Sequence, residues 1–161
     1  MSRKGLTVAR RVHCGPEDCN CLAVRQAARH ITQFYDQFLT PSGQRTTQFS
    51  ILAKLRRLGP MTINALAAEM VMDRTTLGRN ILPLERDGLI AVKQGSRDRR
   101  SKELRVTEAG EACFRAGVKG WVQAQRQFEK AFGAERTADM RALLHAVVAT
   151  NLDTKPVSFV E

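Results

Sequence analysis

"TINALAAEMVMDRTTLGRNILPLERDGLI" occupies residues 62–90, and its punctuation organises the whole chain. Thr62 is an N-cap for a short helix in which Ile63, Leu66, Ala67 and Met70 recur at the three- to four-residue spacing of a one-sided apolar face. Val71 and Met72 break that helix, and Asp73 caps the next. This second helix buries Leu77, Ile81 and Leu84 and stops at Gly88, whose freedom to take positive φ suits a C-terminal cap. Pro83 removes one backbone hydrogen bond, to the Arg79 carbonyl, so a local bend is expected there. Thr75, Thr76, Arg79, Asn80 and Arg86 fall on the polar face, where packing needs none of them.

Outward from this pair the helical period continues. Upstream, Leu22, Ala27 or Ala28, Ile31, Phe34 or Tyr35 and Phe38 predict one long amphipathic helix after Pro16-Glu17-Asp18, closed at Thr40-Pro41-Ser42-Gly43. A helix from about Thr47 turns Phe49, Leu52 and Leu55 inward and ends at Gly59-Pro60. Downstream, "LIAV" and "ELRVT" are strand-like runs separated by the polar "KQGSRDRRSK", residues 93–102, which predicts a hairpin with an extended tip. Thr107 and Glu108 open a long helix that runs through Trp121 to about Phe132 and ends at Gly133. A last helix from about Glu135 carries Met140, Leu143, Leu144 and Val147.

With 161 residues, 43% of them hydrophobic, the chain has the bulk of about one domain with a real core. Aromatic residues make up only 6% while Leu and Ala abound, which favours helices and excludes an all-β fold. The net charge of +10 favours an anionic partner, and its location sharpens the point. Between Arg74 and Arg105, nine basic residues face four acidic ones, so a net of +5 lies on 32 residues. Arg3, Lys4, Arg10 and Arg11 add a basic arm at the N-terminus.

Helix, short helix, turn, helix and a hairpin with a basic tip form a winged helix-turn-helix: a mostly α fold with a small β-hairpin wing. In such a module the polar face of the second helix enters the major groove of double-stranded DNA while the hairpin tip crosses the backbone into the minor groove. Arg97, Arg99 and Arg100 around Asp98 suit that place, because a narrow minor groove concentrates negative potential and accepts a planar guanidinium. A lone Thr-Thr or Arg-Asn pair would read as an ordinary solvated surface. The capped helices, the hairpin and the charge cluster together favour DNA.

The stretch 62–90, followed by "SRDRRSKELRVTEAG" at 96–110, resembles the MarR family of bacterial transcription regulators. The family's Asp-x-Arg, apolar strand and Leu-Thr-x-x-Gly are matched by Asp98-Arg99-Arg100 and by Leu104 to Gly110, with Val106 replacing the usual Leu. The resemblance runs over roughly residues 20 to 150. It implies that Arg100 enters the minor groove and that Asp98 holds it. Val92 departs from the pattern where a basic residue is common, which weakens a backbone contact there.

The winged module takes about residues 47–107 of a domain spanning 18–153, with the basic arm at 1–17 and a loose tail at 154–161. It leaves helices at about 18–39 and 108–153 whose apolar stripes need partners. MarR-like proteins use such helices to build a two-fold dimer, which implies a homodimer on a palindromic operator. The resemblance further implies a repressor released by a small molecule, often an aromatic acid, a phenolic compound or a thioester, bound between the dimerisation helices and the DNA-binding lobe. Tyr35, Phe34, His30, Phe49 and Trp121 are candidate lining residues, although aromatics at helical spacing are more often core.

A second reading rests on cysteine. Cys21 lies near the start of the first helix with Arg25 one turn on, where helix dipole and guanidinium both favour a thiolate. Organic-hydroperoxide sensors of the same family carry a cysteine near this place and a tyrosine fourteen residues later, the spacing of Cys21 and Tyr35. Their tyrosine four residues after the cysteine is Arg25 here, and their tyrosine of the second helix is missing. "HCGPEDCNC" gives a weak metal signal, because His13, Cys14, Cys19 and Cys21 lack a second separated pair, and no metal or other cofactor is expected. The three histidines are scattered, and with neither paired acids nor a phosphate-binding loop the chain does not read as an enzyme. No apolar run approaches the ~18 residues of a membrane span and no signal-type core follows the basic arm, which points to the cytoplasm and to cysteines kept as thiols.

Overall fold

In the computed structural model, which describes residues 15–95 and 101–152, the chain order is helix α1 (Asn20–Leu39), α2 (Thr46–Leu58), strand β1 (Met61–Thr62), α3 (Ile63–Glu69), α4 (Arg74–Arg86), β2 (Ile90–Gln94), β3 (Lys102–Val106), α5 (Glu108–Phe132) and α6 (Ala134–Ala149). Short 3-10 turns at Pro16–Asp18 and Thr40–Ser42 flank α1. The arm expected at 1–17 lies almost entirely outside the described residues, as does the tail from 154. No helix among the described residues is long and apolar enough to cross a membrane.

Local chemistry sets most boundaries. The Thr62 hydroxyl accepts from the Ala65 N–H at 3.2 Å, and Asp73 Oδ1 accepts from the Thr76 N–H at 2.8 Å, so both expected caps satisfy an orphan donor of the first turn. Gly88 takes φ +68° behind α4, which lets the Leu89 N–H reach back to the Leu84 carbonyl at 2.8 Å. The same closing pattern ends α3, where the Met72 N–H donates to the Ala67 carbonyl at 2.9 Å, yet the left-handed position is held by Val71 at φ +51°. A β-branched residue is strained there.

The core of the winged lobe joins Leu52 and Leu55 of α2, Leu66 of α3, Leu77, Ile81 and Leu84 of α4, and Ile90 and Leu104 of the sheet. Each such side chain contributes about 1.5–3 kcal/mol on burial, so these few positions carry much of the lobe's stability. The sheet has three strands in the order β1-β3-β2, all neighbours antiparallel. The hairpin stem is longer than its sequence pattern suggested. The ladder runs on to Gln94 opposite Lys102, and the Gly95 N–H donates to the Ser101 carbonyl at 2.8 Å. The ten-residue tip expected at 93–102 is therefore corrected at both ends, with Lys93, Gln94 and Lys102 in the ladder, because backbone pairing continues through polar residues. Strand β1, pairing Met61 with Leu104, adds an edge that two residues of sequence could not announce.

Helix α5 links this lobe to α1 and α6. Its cap Thr107 accepts from the Gly110 N–H at 3.0 Å and donates through its hydroxyl to the Gly88 carbonyl at 2.6 Å, tying the start of α5 to the end of α4. A Cβ at Gly110 would collide with the Leu89 carbonyl, and one at Gly120 with the Phe38 carbonyl of α1. Arg56 of α2 adds a third tie, donating to Glu111 at 2.6 Å with its guanidinium 4.3 Å above the Phe114 ring. Leu22 and Val24 of α1 and Leu143, Leu144, Val147 and Val148 of α6 are exposed.

Candidate nucleic-acid interface

Helix α4 turns its buried residues to one side and Arg79 and Arg86 to the other. Leu77, Ile81 and Leu84 are buried, and the face pointing directly away from them holds Thr75, Arg79, Leu82 and Arg86, which lie within roughly 60° of one another at 3.6 residues per turn. Thr75, Arg79 and Arg86 are exposed, as the polar pattern implied. Arg79 makes no hydrogen bond or ion pair among the described residues, whereas Arg86 donates to Asp87 at 2.9 Å. Thr76 and Asn80 sit on the flank and are turned back onto the helix. The Thr76 hydroxyl donates to Asp73 Oδ2 at 2.6 Å, and the half-buried Asn80 amide donates to the Thr76 carbonyl at 2.8 Å. Their side chains thus serve the helix itself, a role that a polar pattern alone does not disclose. The bonds from Thr76 hold the Asp73 carboxyl below its ordinary range, so it stays an anion at the helix N-terminus.

The face also includes a residue the polar pattern passed over. Leu82 is 64% exposed between Arg79 and Arg86, and the signal was its spacing of three from one arginine and four from the other.

The hairpin stem brings Lys102 beside Gln94 and Lys93 opposite Glu103, while Glu103 accepts from Arg105 at 2.9 Å. Val92 pairs with the buried Leu104 across the ladder but is itself 38% exposed. Arg97, Asp98, Arg99 and Arg100 lie outside the described residues, so the wing tip stands on sequence alone.

An open cleft of about 920 Å³ lies where α1, α2, α3, α5 and α6 converge. Phe49 is stacked between Phe114 at 4.8 Å and Trp121 at 6.3 Å on its wall. Tyr35 also lines it and donates to Gln125 at 2.9 Å, and burial raises its phenol above the usual value. Lys54 and Glu69, paired at 3.1 Å, stand at its edge with Arg57. Of the aromatic candidates, Tyr35, Phe49 and Trp121 meet there. Phe34 instead packs among Tyr35, Phe38 and Phe128, and His30 lies on the exposed part of α1, while His145 of α6 takes a place in the lining.

Cys19 and Cys21 are exposed free thiols, and it is Cys19 that caps α1, accepting from the Leu22 N–H at 3.4 Å. Cys21 and Tyr35 share α1 and stand about 21 Å apart along it at 1.5 Å per residue. Cys113 is half-buried, and burial pushes its thiol up. No cluster of three His, Cys, Asp or Glu able to hold a metal occurs among the described residues, and His13 and Cys14 lie outside them.

A capped helix pair, a recognition-type second helix with a free polar face and an antiparallel hairpin define a winged helix-turn-helix protein. A model of the MarR family matches residues 46–102. The transcriptional regulator MosR of M. tuberculosis, solved in complex with DNA, is 36% identical, and the match covers 84% of this chain and 100% of that one with a TM-score of 0.70. The chain belongs to the MarR family. An uncharacterized HTH-type transcriptional regulator of Bacillus subtilis, YwoH, is 33% identical over 91 residues, 56% of this chain and 66% of the relative. Matched regions thus reach just under two thirds of the length of such curated relatives. BpsR of Bordetella bronchiseptica shares the fold at 20% identity and a TM-score of 0.75, over 86% of this chain and 99% of that one.

Proposed function

We propose that the protein is a sequence-specific transcription regulator that binds double-stranded DNA as a homodimer on a palindromic operator and represses until a small molecule releases it. The face of α4 opposite the core carries this reading: Thr75, Arg79 and Arg86 point outward from a capped helix and are exposed among the described residues. In the proposed complex this face lies in the major groove, with Thr76 and Asn80 fixing its geometry. Arg97, Arg99 and Arg100 follow the minor groove, and Asp98 orients Arg100. MosR, solved with DNA, supports the assignment by relationship.

The exposed apolar residues of α1 and α6 are the proposed dimer contacts, and the aromatic cleft with Lys54 and Arg57 at its edge is the proposed seat for a small aromatic or thioester effector. A thiol switch at Cys21 is a second reading, favoured by its exposure in the first turn of α1. Selection of duplexes from a randomised library by the full-length protein, followed by footprinting of the recovered sequence, tests the central assignment. An enriched palindrome is expected; retention of all sequences alike overturns it. Loss of that binding with a mass shift at Cys21 on mild peroxide would favour the thiol switch over a ligand.

A further inference from the structure

Leu82 is the one apolar member of the outward face of α4. It is 64% exposed, lies one turn beyond Arg79 and one turn before Arg86, and points away from the buried Leu77, Ile81 and Leu84. An isolated exposed leucine elsewhere would need no explanation. This one stands on the line of residues assigned to the DNA, where every neighbour on the face is polar.

Base edges in the major groove offer hydrogen-bond donors and acceptors at nearly every position, and these give a leucine nothing. The exception is the C5-methyl group of thymine. Resting on the DNA-reading assignment above, we infer that Leu82 is a specificity-determining residue that packs against one thymine methyl, with Arg79 and Arg86 on either side fixing the register. Burial of this leucine against the methyl removes apolar surface of both from water. Cytosine at that position would put an unsatisfied amino donor under the side chain.

The test uses the duplex enriched from the randomised library, with each thymine replaced in turn by deoxyuridine, which removes the methyl and keeps the base pair. Wild-type protein is expected to lose about three- to fivefold in affinity at one thymine, the scale of one buried methyl. Leu82→Ala is expected to bind the unmodified duplex more weakly by a similar factor and to show no further loss at that deoxyuridine. Because the side chain is largely exposed, circular dichroism and the melting temperature of Leu82→Ala should match wild type. Equal losses for both proteins at every deoxyuridine, or no loss at any, overturn the assignment of Leu82 while leaving the DNA-reading function in place. A library that yields no enriched sequence overturns that function and this inference together.

Discussion

Asp36 of α1 holds Thr46 of α2 by two hydrogen bonds of 2.7 Å, one from the backbone N–H and one from the hydroxyl. A carboxylate of one helix thereby caps the next and joins the long N-terminal helix to the winged lobe. Burial raises the Asp36 carboxyl, but the two bonds from Thr46 and the Arg45 guanidinium outweigh it and leave the group below its ordinary range. A lowered native pKa gives stability that is fully present above the unfolded value, about 3.9, and is lost as pH falls through the native value. Asp36→Ala should cost about 1–2 kcal/mol at neutral pH, the upper range for a lost cap. The gap between wild type and variant should narrow as pH falls below the unfolded value. Urea melts at several pH values check this, and a gap independent of pH counts against it.

Val71→Gly should raise stability. The valine is held at φ +51° and is 71% exposed, so it carries backbone strain of about 1–2 kcal/mol with little packing in return. Glycine removes the strain but adds freedom to the unfolded chain, leaving a net gain of about 0.5–1 kcal/mol, or a few degrees in melting temperature. Val71→Asn should move the same way. An unchanged or lower melting temperature for both variants refutes the strain.

Arg79→Ala should weaken binding to the selected duplex by about 1–3 kcal/mol and relax discrimination at one base pair. Titration on the selected and a random duplex distinguishes the roles of this side chain. Equal weakening on both makes Arg79 a phosphate contact instead.

At the wing, Arg100→Ala should reduce affinity and flatten the salt dependence, because a cation beside the phosphates releases condensed counterions. Thermal stability should move by no more than about 0.5 kcal/mol. Asp98→Ala separates two roles. Loss of operator affinity despite the gain in net positive charge means that Asp98 fixes the geometry of Arg100, whereas tighter operator binding refutes the minor-groove assignment.

Light scattering at micromolar concentration should return a dimer of the 18.0 kDa chain. Leu143, 68% exposed on α6, is the residue whose replacement by glutamate should shift the population toward monomer, since a buried unpaired charge opposes association. A wild-type protein that is monomeric throughout rules out the dimer.

Caps and stops were legible because their chemistry is local: Thr62, Asp73 and Thr107 accept from the first turns of their own helices, and Gly88 and Gly133 adopt positive φ at the stops expected of them. The periodicity of α4 likewise named its buried residues. What escaped depends on partners distant in sequence or on hidden backbone. Strand β1 exists only because Met61 meets Leu104, and the stem of the hairpin is extended by pairing that polar side chains do not report. Val71 reads as an ordinary apolar residue, and nothing in its side chain tells of a left-handed backbone. The cleft needs five helices to converge, so only three of the five aromatic candidates were placed in it. On α4, the polar pattern could not separate Arg79, which faces outward, from Thr76 and Asn80, which bond to their own helix.

At Gly110 and Gly120, α5 rests on its neighbours through bare backbone, against the Leu89 and Phe38 carbonyls. Ten residues, or about 15 Å of rigid helix, separate the two seats. They act as shims of zero thickness between the winged lobe and the N-terminal helix. A single methyl inserted at one seat, lifting the shaft by about 1.5 Å, would swing it through roughly 6° over that arm. In the proposed dimer both lobes would swing by the same angle, the two motions related by the two-fold axis, so alanine at Gly120 would regauge the distance between the two reading helices without altering any side chain of the proposed reading face.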